Sequence, residues 1–152
     1  MAELLKQLEN DALPQNVVVA FTNWCIWEQA LPALATVVEH AGIDNAENHL
    51  RAADDIIVLA EITEQIRDYV SVNRDQISPL AYSSTEAALF EFLNLLSDAG
   101  DAGEPASVAF FAARVCGWAG WVQTRFQDAT QKIAAEEQAR ADQENKLSQL
   151  MK

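Results

Sequence analysis

The chain has 152 residues, half of them hydrophobic, with 23 acidic against 10 basic side chains and a formal net charge of −13. That length and apolar content suit one domain with its own core and exclude a disordered chain. The acidic excess repels nucleic acid and anionic membranes and favours basic protein surfaces as partners.

With only 5 Gly and 4 Pro, the stretches between breakers are too long for strands, so an all-α bundle of five to six helices is expected. The first helix covers 3–10, with Leu4, Leu5 and Leu8 on one face, and ends before Asp11 and Pro14. A second helix starts near Asn16. Pro32 lies inside its apolar pattern, which predicts a kink or break at 29–31, because proline removes an amide and crowds the preceding turn. The pattern resumes to Ala41, and Gly42 suits the helix end.

Asp44-Asn45-Ala46-Glu47 resembles a capping box, and a third helix is expected from 45 to 72. Read at about 100° per residue, Ile56, Leu59, Ile62, Ile66, Tyr69 and Val70 share its core side. Asp54, Ile57, Glu61, Glu64 and Asp68 gather on the opposite side. Like charges at this spacing repel by a few tenths of a kcal/mol per neighbouring pair. Ser83-Ser84-Thr85-Glu86 reads as a further capping box opening a fourth helix, 84–97, followed by a loop at 98–104. Pro105 begins a fifth helix, whose small residues from Ala106 to Gly120 suit a central, closely packed position.

No proline follows 105, so the fifth helix is expected to continue as a long C-terminal helix. Its character changes at Phe126. Residues 127–152 carry five acids and four bases with few large apolar side chains, and read as a solvated helical extension of the acidic bundle formed by 1–126. Nearly all the negative charge therefore belongs to 1–126, and no basic residue occurs between Arg74 and Arg114.

Chemical motifs are few. His40 and His49 lack the Glu-x-x-His or His-x-x-x-His spacing that puts metal ligands on one helix face, so neither a metal nor a cofactor is expected. Glu61-x-x-Glu64 resembles half of the magnesium site of the all-α nucleotide pyrophosphohydrolases. The acidic pair that should answer it on the next helix is found only as Asp98-x-x-Asp101, in a predicted loop. No nucleophile elbow or phosphate loop occurs. Cys25 and Cys116 sit in apolar segments and read as buried thiols. Trp24 with Trp27 and Trp118 with Trp121 are each three residues apart, a spacing that fits the core or a groove with Arg114 or Glu28 at its rim.

The segment Val19-Ala20-Phe21, then Cys25-Ile26-Trp27-Glu28-Gln29-Ala30-Leu31-Pro32, resembles a group of small helical bacterial proteins. Members carry Ala-Phe, then Glu-Arg, then a proline three residues beyond the arginine, and some are immunity proteins of polymorphic toxin systems. Glu28 and Pro32 match that pattern, and Gln29 stands where arginine is expected. The resemblance implies a non-enzymatic inhibitor that binds a basic protein such as a nuclease toxin, and phage inhibitors of defence nucleases share that profile. The N-terminus lacks the basic and apolar regions of a signal peptide, so a cytoplasmic monomer or homodimer is expected, with no nucleic acid or membrane partner. Asp54, Ile57, Glu61, Glu64 and Asp68 are the partner-binding candidates, with no catalytic residue assigned.

Overall fold

A computed structural model describes residues 2–43, 45–100 and 104–152. Among these the secondary structure is helical throughout: α1 (Glu3–Glu9), α2 (Gln15–Trp24), α3 (Leu31–His40), α4 (Ala46–Ala52), α5 (Ile56–Val72), α6 (Pro79–Gly100), α7 (Pro105–Gln123) and α8 (Thr130–Leu150). The all-α expectation holds. A π-helical segment, Cys25–Ala30, joins α2 to α3 into one rod, so the eight segments pack as seven.

That segment is the answer to Pro32. The chain does not break at 29–31. Leu31 donates its amide to Ile26, five residues back, immediately before the proline that has no amide to give. The wider turn also brings Cys25, Ile26, Gln29 and Ala30 all into the interior. At the far end of the rod Gly42 adopts a left-handed φ of 74°. Gly42 donates to Glu39 and Ile43 to Val38, which together satisfy the last carbonyls as the sequence pattern predicts.

Three of the predicted helices differ in their boundaries from the sequence reading. The predicted third helix is two helices, because Asp55 is extended and its carboxylate accepts the Val58 amide at 2.8 Å, restarting the chain as α5. The predicted box at Asp44 lies outside the described residues in its first member. The fourth helix begins at Pro79, five residues before the predicted start, with Ser78 accepting the Ala81 amide. Ser84 and Thr85 are therefore buried mid-helix, and Glu86 turns to Arg67 on α5. Residues 98–100 belong to α6 and not to a loop.

The third difference concerns 127–152. The fifth helix does not continue. Arg125 and Phe126 take left-handed φ values of 56° and 63°, the chain reverses, and α8 packs back along α7. Asp128 accepts the Thr130 amide at 3.0 Å at the new start. One face of this stretch packs into the bundle, with Leu147 and Gln143 fully buried and Ala139 nearly so, while most of its other side chains are exposed.

Helix α7 is central, touching α1, α2, the π segment, α3, α6 and α8. Its glycines explain how near α8 comes. A Cβ on Gly120 would meet Ala135 Cβ at 2.5 Å and the Gln131 carbonyl at 2.9 Å, and one on Gly117 would meet the Lys132 carbonyl at 3.1 Å. Among the described residues no helix is long and apolar enough to cross a membrane.

Candidate functional site

Helix α5 touches α4 and α6 and leaves a broad face to solvent. Its buried side is Leu59, Thr63, Ile66 and Val70, spaced by four, three and four residues, as a helix packed along one seam requires. The core-side prediction holds for Leu59, Ile66 and Val70. It fails for Tyr69, which is 48 % exposed, and it missed Thr63, whose hydroxyl is satisfied by donating to the Leu59 carbonyl at 2.7 Å.

Ile57, Glu61, Glu64 and Asp68 are all exposed on the outer face of α5. Asp54 is exposed too, but in the linker before the helix, so four of the five candidates share the helical stripe. Among the described residues there are two ion pairs, Arg67–Glu86 and Arg114–Glu91, and neither uses a carboxylate of this stripe. Arg67, the nearest cation in sequence, turns away to donate from Nε to Glu86 Oε1 at 2.9 Å. The stripe therefore presents three carboxylates with no internal counter-charge. Ile57 is 73 % exposed.

On the next face round, α5 and α6 border a groove of about 760 Å³ that the sequence reading did not find. Arg67 lies over the Phe90 ring, 5.6 Å from its centroid, and Arg74 over the Tyr82 ring at 4.8 Å. Ile77 and Ala87 add apolar wall. The sequence signal was Arg67 and Arg74 seven residues apart, facing Tyr82 and Phe90 eight residues apart. Without the α5–α6 pairing neither spacing has a partner.

The tryptophans form two separate arrangements. Trp24 stacks on Phe21 at 6.1 Å, and Trp118 lies 5.9 Å from Trp121, which meets Phe126 edge-on. All four are partly buried. Trp118 donates from Nε1 to Glu91 Oε2 at 2.7 Å, and Arg114 donates to the other oxygen of the same buried carboxylate. This accounts for a charge buried between α6 and α7, and it occupies the Arg114 that the sequence reading placed at a groove rim. No tryptophan lines the α5–α6 groove.

His40 and His49 are both exposed, and His40 Nδ1 pairs with the Thr36 carbonyl. Asp98 accepts a hydrogen bond from Ser107, while Asp101 lies outside the described residues. Among the described residues no group of three or more His, Cys, Asp and Glu is placed to hold a metal ion. Cys25 and Cys116 are free thiols. Burial pushes the Cys116 thiol up to about 12, with Asp142 and Glu136 adding to the rise. Cys25 is raised further, again chiefly by burial. Such thiols are protonated and poor nucleophiles near neutral pH. Comparison of the chain with known protein families, with curated proteins and with solved structures gives no match.

Proposed function

We propose that the protein is a non-catalytic, cytoplasmic inhibitor that covers a basic protein surface, in the manner of an immunity or anti-defence protein. Glu61, Glu64 and Asp68 supply the charge and Ile57 an apolar contact, with Asp54 extending the stripe beyond the helix end. The observation that carries this reading is the exposed carboxylate stripe on α5 that has no ion-pair partner among the described residues. A surface kept this way repels itself by tenths of a kcal/mol per pair, and a basic partner such as a nuclease toxin turns that repulsion into attraction. Association should then be fast and strongly salt-dependent.

The test is a pull-down from lysate of the source cell at low and moderate salt, using the unaltered protein and a Glu61→Lys/Asp68→Lys variant side by side. A basic protein held by the unaltered chain, released by salt and lost by the variant is the expected result. Equal capture by both proteins, with the same salt response, would remove α5 as the docking face.

A further inference from the structure

We infer that the groove between α5 and α6 is a binding site for a small organic monoanion, a planar apolar ring system carrying one carboxylate or sulfonate group. Its volume of about 760 Å³ falls within the range of small-molecule sites, and its open side shows both ring and guanidinium to solvent. Phe90 is 52 % exposed, although its near neighbours along the helix, Leu89 and Phe92, are fully buried. A flat ring laid against Phe90 and the Ile77–Ala87 wall would recover that apolar area.

The anionic group is assigned to Arg74. Arg67 is already neutralised by Glu86, but Arg74 has no carboxylate within ion-pair distance among the described residues. Its guanidinium is held at 4.8 Å over Tyr82, an arrangement that fixes the plane and leaves the N–H edges free for a carboxylate or sulfonate.

Charge limits the ligand to one anionic group. Arg67 and Glu86 cancel, and Asp75 lines the same rim as Arg74, so the groove is close to neutral inside a protein of formal charge −13. The field of the distant carboxylates is largely screened beyond about 8 Å at physiological salt, whereas a direct guanidinium contact is not. A single anion in contact with Arg74 is therefore held. A polyphosphate, whose further charges would reach past Arg74 toward Asp75 and the α5 stripe, is not.

The probe is 8-anilinonaphthalene-1-sulfonate, which has an aryl ring system, one sulfonate and one N–H, titrated by fluorescence against the folded protein. N-phenyl-1-naphthylamine serves as its uncharged counterpart. The expected result is one saturable site per chain, weakened at least tenfold by Arg74→Gln, with the uncharged probe changed less than twofold by the same substitution. Phe90→Ser should weaken both probes. Both side chains are largely exposed, so these variants keep the fold, and circular dichroism with a melting curve verifies it. Binding without saturation, several equivalents per chain, or an unchanged affinity in Arg74→Gln would overturn the assignment.

Discussion

Helices α5 and α8 show that the strength of a helix's hydrophobic pattern does not decide its place in the bundle. Helix α5 has the clear apolar stripe, yet it packs at the periphery, against α4 and α6, and exposes Ile57, Tyr69 and Val72. Helix α8 is mostly Ala, Gln, Glu, Lys and Arg, yet it lies along the central helix and also reaches α1 and α2. The difference is in how contact is made. Helix α5 buries large side chains, which hold neighbouring axes apart. Helix α8 sets Ala135 and its own backbone carbonyls against Gly117 and Gly120, so dispersion contacts come from backbone and methyl groups and not from large side chains.

Polar side chains on α8 then finish the interface. Gln143, fully buried, donates to Gln29 Oε1 and to the Ala109 carbonyl, both at 2.8 Å, and accepts from Arg140 at 3.1 Å. Gln29 donates in turn to the Ala139 carbonyl at 3.0 Å. The π segment, α7 and α8 are thus tied at one point, and both amide hydrogens and the carbonyl oxygen of Gln143 are engaged, which is what makes a buried amide tolerable. Glu144 reaches α1, accepting the Leu4 and Leu5 amides at 2.9 and 3.0 Å, and so caps from the opposite end of the chain a seven-residue helix whose own N-cap residue, Ala2, offers no side-chain acceptor.

The comparison is broken most severely by removing α8. A chain ending at Phe126 should lose its cooperative thermal transition, since the glycine face of α7 and the amides of α1 would be left open; a normal melt would make α8 the dispensable extension that its composition suggests. The coverage of α7 by α8 can also be read chemically. With its thiol raised to about 12, Cys116 should react with iodoacetamide at pH 8 about a thousandfold more slowly in the folded protein than in urea. Because folding holds this thiol protonated, its contribution to stability is intact below pH 9 and declines as pH rises from about 9 toward 12.

Gly120→Ala tests the close approach directly. Alanine is the better helix former by about 1 kcal/mol, but its methyl would press on Ala135 and the Gln131 carbonyl, and overpacking of this kind costs roughly 1–3 kcal/mol. A net loss in urea melts is expected, and a gain would show that α8 moves away freely. Glu144→Ala should cost about 1 kcal/mol and raise amide exchange at Leu4 and Leu5 with little change elsewhere. The smallest effect belongs to α5: Ile57→Ser combined with Glu64→Gln should leave stability within about 0.5 kcal/mol, since both side chains face solvent. A larger loss would mean that the stripe contributes to the fold.

How much was legible varies by segment and has a physical pattern. The extent of the rod from Gln15 to His40, though not the π segment that carries it past Pro32, its end at Gly42 and the central place of α7 could be read because large apolar residues, a left-handed turn and a run of small residues each leave a mark on the local sequence. The restart at Asp55 was legible in principle as an aspartate three residues before Val58, and Asp128 with Gln131 three residues on marks the start of α8, but a helical composition on both sides masked them. Ser83-Ser84-Thr85-Glu86 has the sequence of a cap and is mid-helix, because Ser78-Pro79 had already begun α6 upstream and Ser84 and Thr85 were then drawn inside by packing.

The candidate stripe was legible because exposure on one helix follows from periodicity alone, and only Asp54, beyond the helix boundary, was misplaced. The groove was not, because it depends on which helix lies beside α5 and at what axial offset. By itself the sequence determined the helical class, the acidic character and the outward face of α5, all consequences of composition and a 3.6-residue repeat. Tertiary structure alone decided that a polar helix lies along the central one, that Glu144 caps α1, and that Arg67 on α5 and Arg74 in the connector beyond it stack on two rings of α6. Each of these joins residues distant in sequence or on separate helices, and local propensity has no term for a contact whose partner lies on another helix.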